Sequence, residues 1–194
     1  MAPTTDKPIL AIDCDEVLLP TGTHWLQYLN DRAGTDLIPS DIGFDYNIGR
    51  HFPQIKDPKE FFAGNVYDSL APYSRAVEVV RKLSELYTIV IVSHCIRNHH
   101  ESKERFIERY FDDSVSAFVA TDKKWTVKAD VFVDDRVHYL MDLDEQTVKI
   151  LFRTIWKQSS CPVDALERMK VPNLIADDWE HLESILTKMH SYLK

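Results

Sequence analysis

The chain has 194 residues, 44% of them hydrophobic, and a formal net charge of −8. That content is enough to bury a sizeable core in one domain with an insertion, which excludes a disordered chain, and no apolar stretch reaches membrane-spanning length. The acidic balance disfavours a nucleic-acid polymer as partner, yet leaves room for a small anion wherever a metal ion and a few lysines reverse the local field.

Residues 1–8 are polar, and the apolar run that follows is short and ends in acids, so no secretory leader is read there. That run, Ile-Leu-Ala-Ile over 9–12, has the length and β-branched content of a buried strand, and it breaks off into Asp13-Cys14-Asp15-Glu16-Val17-Leu18. A buried strand has no internal use for acids, so Asp13 and Asp15 belong at its open end. Spaced i and i+2 on extended backbone, they can face one ligand together. Over 19–72 strand-like runs give way to aromatics and scattered Gly, Pro, Asn and Asp, which reads as a helical cap with loops. From 72 the rhythm is regular: Ala76, Val77, Val80, Leu83 and Leu86 at helical spacing, then a β-branched run at 88–92 closed by Ser93.

A helix around 102–111 follows, then strand-like runs at 115–119, 131–133 and 148–152, the second ending in Asp134-Asp135. The segment 178–193 places Trp179, Leu182, Ile185, Leu186, Met189 and Leu193 on one helical stripe, with Asp177 or Asp178 as N-cap. Strands alternating with helices predict an α/β fold whose mostly parallel sheet is covered on both faces. In such sheets ligands bind beyond the carboxyl ends of the strands, where Asp13, Asp15, Ser93, His94, Asp134 and Asp135 fall. Paired hard oxygen donors suit Mg²⁺, and a carboxylate can also attack phosphorus. Read singly, each group has an ordinary structural explanation: a solvated acidic turn for either acid pair, a strand end for Ser93, a surface charge for a lysine.

Together and in this order, Asp13-Cys14-Asp15-Glu16-Val17, the serine closing Ile-Val-Ile-Val-Ser, Lys124, and Asp134-Asp135 closing Val-Phe-Val resemble the four motifs of the haloacid dehalogenase (HAD) superfamily of phosphatases. Within it the chain is most similar to the 5′(3′)-deoxyribonucleotidases, through Asp-Cys-Asp-Glu-Val-Leu, the helix and strand ending at Ser93, Lys103 to Phe111, and Lys124-Trp-Thr-Val-Lys-Ala-Asp-Val-Phe-Val-Asp-Asp-Arg136. The resemblance implies a Rossmann-like core over 1–18 and 73–194 with a small, mainly helical cap over 19–72 inserted after the first strand. It further implies Asp13 as nucleophile, Asp15 as acid and base, and Ser93 and Lys124 on the transferring phosphoryl group. Mg²⁺ would be held by Asp13, the Asp15 backbone carbonyl and Asp135, with Asp134 ligating directly or through water. Lys124 is preferred to Lys123 and Lys128 because its place relative to the next strand agrees with the family.

His94 and Lys103 are candidates for the phosphate edge, although family members carry a smaller hydroxyl-bearing residue at the position of His94, and Lys103 could equally be a helix-surface charge. Phe44, Phe61 and Tyr67 fall near positions where related nucleotidases set rings against the base; they could equally form the cap's own core or a homodimer contact. The stretch His94, Cys95, Arg97, Asn98, His99, His100 reads as a solvated loop, since adjacent histidines rarely share a zinc ion. Trp25 and Tyr28, three apart, read as helix packing. Three cysteines, Cys14, Cys95 and Cys161, lack paired or metal-like spacing, which fits a reducing, cytoplasmic setting. The expected activity is therefore Mg²⁺-dependent hydrolysis of a small phosphomonoester, a deoxynucleotide first. A HAD phosphatase for another small metabolite, or a HAD-fold binding protein without catalysis, are the alternatives.

Overall fold

The structure, a computed structural model, describes residues 7–42, 48–96, 99–154 and 173–193. Six strands, β1 (Ile9–Ile12), β2 (Thr88–Ser93), β3 (Ala117–Ala120), β4 (Val131–Asp134), β5 (Val148–Phe152) and β6 (Leu174–Ala176), form one sheet in the order β3-β2-β1-β4-β5-β6. Every pairing is parallel. The chain winds outward from β1 to β3 and then returns to β4 on the other side of β1, so the order reverses at β1 and β4. Crossovers diverge there and leave a crevice at the carboxyl ends of these two strands.

Period-two alternation sends each strand's side chains to two cores. Leu10, Ile12, Ile89, Ile91, Val131, Val133, Ile150 and Phe152 meet the helices α3 (Ala76–Ser84), α4 (His99–Phe111) and α6 (Trp179–His190). Ala11, Val92, Phe132 and Leu151 face the other way, onto Leu140 of α5 (Val137–Met141) and Leu143. Burying both faces explains why the strands read as continuous apolar runs. Asp178 caps α6 by accepting from the His181 amide at 2.7 Å, and the Trp179 indole donates to the Val17 carbonyl at 2.9 Å, tying this last helix to the loop after β1.

Between β1 and α3 the chain forms α1 (Thr21–Ala33), α2 (Pro39–Ile42) and three short 3₁₀ turns, Ile48–His51, Pro58–Phe62 and Val66–Asp68. A third apolar cluster of Trp25, Leu26, Leu29, Ile42, Ile48 and Phe52 holds most of this segment together. Gly49 makes its close approach possible: a Cβ there would lie 2.5 Å from Pro58 Cβ. Tyr67 and Leu70, by contrast, pack into the main core beneath the sheet. No helix among the described residues is long and apolar enough to cross a membrane.

Two boundaries differ from expectation. Helix α4 begins at His99, where the sequence predicts a solvated loop, because that imidazole is buried and hydrogen-bonded to the Phe62 carbonyl at 2.9 Å. The third strand begins at Ala117: the 3₁₀ turn Asp112–Ser114 and the bond from the Val115 amide back to Phe111 keep Val115 out of the sheet.

Candidate active site

The crevice over β1, β2 and β4 opens into a cavity of ≈ 450 Å³, within the range of small-ligand sites. Asp13 follows β1, and its amide donates to the Val133 carbonyl at 2.9 Å, so sheet pairing itself sets Asp13 beside Asp134. After it the chain folds back sharply. The amides of Leu18 and Leu19 both reach the Cys14 carbonyl, and Glu16 takes a left-handed conformation at φ 61°. This turn is why Asp13 and Asp15, two apart, acquire separate partners.

Asp13 belongs to a buried acidic group. Its carboxylate and those of Asp134 and Asp135 each offer an oxygen within 4.8 Å of the others. The Lys124 ammonium enters this group. Lys124 is 1% exposed, lies 2.8 Å from Asp13 Oδ1 and donates to Asp134 Oδ2 at 2.6 Å. It also sits 4.4 Å from the centre of the Tyr139 ring. Its neighbours Lys123 and Lys128 are exposed. Burial pulls the lysine pKa down, but the charges of Asp13 and Asp134 outweigh it and hold the ammonium protonated. Burial and the Asp13 charge push Asp134 the other way, up to about 8, despite Lys124. Three buried carboxylates therefore exceed the positive charge available from Lys124, and hard oxygen donors in that state fit a small divalent cation. Both Asp134 oxygens already accept hydrogen bonds, from Lys124 Nζ and from the Arg136 amide at 2.8 Å.

Asp15 has a different environment. Its Oδ2 accepts from Lys103 Nζ at 2.5 Å; its Oδ1 accepts from Thr21 Oγ1 at 2.8 Å and from the Tyr67 hydroxyl at 2.9 Å. Burial raises its pKa, but the Lys103 charge and these bonds outweigh burial and leave it below the usual carboxylate range. Lys103 is 1% exposed, so it is no helix-surface charge. Its three donors are fully used, on Asp15, on Ser93 Oγ at 2.8 Å and on the His94 carbonyl at 2.9 Å. Because Ser93 Oγ accepts from the ammonium, its own proton remains available to a ligand.

The far wall is largely apolar, formed by Trp25, Ile48, Phe62 and Ile96, with exposed Lys59 and His94 also reaching the cavity. Phe62 lines it in place of Phe61, which packs against Tyr28 and Phe62 with ring centres 5.5 and 4.8 Å away. Tyr67 does reach the cavity, but it is 2% exposed, with Lys103 over its ring 4.8 Å from the centroid and His99 in T-shaped contact at 5.2 Å, so it offers no open face for stacking. Phe44 lies outside the described residues, as does Cys161. His99 binds the Phe62 carbonyl and His100 stacks on Phe118 at 5.4 Å. Trp25, Phe62, Thr21, His99 and Tyr139 were not singled out as site residues by sequence reasoning. Periodicity marks Trp25 as helix packing, which it also is, and nothing in the sequence distinguishes Phe62 from Phe61.

A parallel sheet reversing at β1 and β4, with acids closing both strands and a lysine between them, defines a phosphatase of the HAD type. Solved structures align along nearly the whole chain: a conserved haloacid dehalogenase-like protein from Agrobacterium tumefaciens at a TM-score of 0.63 and 11% identity, covering 94% of this chain and 99% of that one, and the HAD-hydrolase YfnB from Bacillus subtilis, bound to magnesium, at 0.54 and 11%, covering 94% and 99%. The family model "5' nucleotidase, deoxy (Pyrimidine), cytosolic type C protein" matches residues 7–161. The chain belongs to that family and is a HAD-type 5′-nucleotidase, a nucleotide phosphomonoester hydrolase. It is also 26% identical over 150 residues to the 5′(3′)-deoxyribonucleotidase of Bacillus subtilis, covering 75% of this chain and 85% of that one.

Proposed function

We propose that this chain hydrolyses deoxynucleoside 5′-monophosphates with Mg²⁺ through an aspartyl-phosphate on Asp13. The observation that carries this reading is the division of one cavity into a charged floor and an apolar wall. The floor pairs Asp13 with Lys124 and Asp15 with Lys103, while Trp25 and Phe62 supply a surface for a base. Residues 1–18 and 73–194 would be the core and 19–72 the cap. The free thiols of Cys14 and Cys95 suit a reducing, cytoplasmic compartment.

Asp13 and Asp135 carboxylates and the Asp15 backbone carbonyl would hold Mg²⁺, with Asp134, both of whose oxygens are engaged, ligating through water. When bound, the ion offsets the repulsion between an anionic nucleophile and an anionic phosphate. An Asp13 oxygen attacks phosphorus and the ester P–O bond breaks. Asp15 gives its proton to the departing 5′-oxygen, then takes one from the water that attacks the aspartyl-phosphate and releases phosphate. The resting hydrogen bonds favour the ionised Asp15 needed in the second step. An incoming phosphate, competing for Lys103 and adding negative charge, favours the protonated form needed in the first. Ser93 donates its hydroxyl proton to a phosphoryl oxygen, and Lys124 spreads positive charge over the transition state.

Phosphate release should be measured from deoxynucleotides, ribonucleotides and sugar phosphates, with Mg²⁺ and with excess chelator. We expect turnover of deoxynucleoside monophosphates that chelator abolishes. Turnover unaffected by chelator would defeat the metal assignment, and turnover confined to sugar phosphates would defeat the substrate.

The metal site also predicts a pH effect. Asp134 has a folded pKa above its unfolded value, so the metal-free protein loses stability as pH rises from about 4 through about 8. A cation nearby favours the ionised form of Asp134, so Mg²⁺ affinity by titration calorimetry should rise with pH up to about 8. A pH-independent affinity would mean that Asp134 is already ionised without metal.

A further inference from the structure

Tyr67 is read most simply as a platform for the base, but its surroundings argue for another use. The residue is 2% exposed and its ring is part of the main core. The Lys103 ammonium lies over the ring and His99 packs against it in a T-shaped contact. What it presents toward the chemistry is its hydroxyl, whose proton is directed at Asp15 Oδ1 at 2.9 Å. The turn that carries it is anchored at Asp68 by two arginines of α4. Arg105 of α4 makes a two-pronged bond to the carboxylate of Asp68, the next residue, at 2.9 and 2.8 Å, and Arg109 donates to the Asp68 carbonyl at 2.5 Å. Lys103, which holds the other Asp15 oxygen, lies on the same helix. Helix α4 therefore holds Asp15 Oδ2 directly through Lys103 and reaches Oδ1 through the turn that carries Tyr67, where Thr21 Oγ1 of α1 donates as well at 2.8 Å.

We propose that Tyr67 is a positioning residue for Asp15: its hydroxyl, held by the Asp68–Arg105 clamp on α4, aims the carboxyl group that protonates the leaving oxygen. This rests on the assignment of Asp15 as proton donor. Three staggered rotamers about the Cα–Cβ bond and a broad range of carboxyl-plane orientations are otherwise open to an aspartate side chain. A Lys103 contact at one oxygen leaves that plane undefined. Donors at the other oxygen define it: Thr21 Oγ1 and the Tyr67 hydroxyl share Oδ1, and the Tyr67 bond, carried on a buried ring, adds a second fixed direction to the one from Thr21. Orientation of this kind is worth more to a proton transfer than to ground-state binding. A base platform would make the opposite demand, since it needs the ring and has no use for the hydroxyl.

Tyr67→Phe keeps the ring, the core packing and the contact with Lys103, and removes only the bond to Asp15. The test compares kcat/KM, which reports steps up to departure of the leaving group, for a deoxynucleoside 5′-monophosphate and for p-nitrophenyl phosphate, whose leaving group departs without a proton. Tyr67→Phe should lower kcat/KM about tenfold on the nucleotide through kcat, with KM within about twofold, and less than twofold on the aryl ester. In the Asp15→Asn background the same change should have no further effect on the nucleotide, because the group it positions is gone. Equal losses on both substrates, or a further loss in the Asp15→Asn background, would make the hydroxyl merely structural and overturn the proposal; so would wild-type values throughout. If Asp15→Asn itself leaves the nucleotide rate unchanged, the failure lies in the assignment of Asp15. A wild-type protein inactive on both esters would overturn the phosphatase chemistry from which the proposal starts.

Discussion

Replacing Asp13 by asparagine should lower turnover by about four orders of magnitude, since an amide oxygen cannot form the acyl phosphate that splits the reaction into two steps. The fold should survive. Asp13 lies in a group of three buried carboxylates and shares Lys124 with Asp134, so removing its charge relieves repulsion, and the amide oxygen can still accept from Lys124. We expect the melting temperature of metal-free Asp13→Asn to equal or exceed that of the wild type, the pattern of a residue kept for chemistry at some cost in stability. Rapid quench with phosphate-labelled substrate should trap a phosphoenzyme in the wild type and none in the variant. Residual turnover within a hundredfold of wild type would mean that water attacks phosphorus directly, with Asp13 only a metal ligand.

Lys124→Ala should be damaging in both respects. Its ammonium is completely enclosed, between Asp13, Asp134 and the face of Tyr139, so truncation leaves two buried carboxylates without their counter-charge. Breaking such a pair from one side costs about 3 kcal/mol or more. A urea titration of metal-free protein should show that loss, and part of it should return when Mg²⁺ is added, because the ion supplies charge to the same acids. Turnover should fall by about a thousandfold even with saturating Mg²⁺, the range expected when a buried charge aimed at a phosphoryl transition state is removed. Nearly normal kinetics would assign the phosphoryl contact to another cation, and Lys103, three donors already committed, would be the one to examine.

Five of the six strands and the charged floor are legible because their signals are local; β6, three residues at the edge of the sheet, is too short to carry such a signal. Strands buried on both faces are written as unbroken apolar runs, and an acid directly after such a run must lie at its end. Asp13, Ser93 and Asp134 could thus be placed on one edge of the sheet from spacing alone, and the family resemblance supplied Lys124. The helix start at His99 was hidden because its signal is not local. A histidine after a polar loop looks solvated unless one knows that the Phe62 carbonyl waits 2.9 Å away. Similarly, Phe61 and Phe62 are equivalent to any periodicity argument, and only the packing of the Pro58–Phe62 turn against Gly49 and Trp25 turns one ring to the cavity and the other to Tyr28.

The sequence by itself determined an α/β architecture, a set of strand-end carboxylates suited to a hard cation, and the order of four phosphatase motifs, since each depends on residue type and short spacing. Tertiary structure alone decided how those similar acids divide. The turn through Glu16 sends Asp13 to Lys124 and Asp15 to Lys103, Thr21 and Tyr67, partners lying 6 to 111 positions away along the chain. A carboxylate takes its working charge from what surrounds it once water is excluded, and that company is assembled by folding.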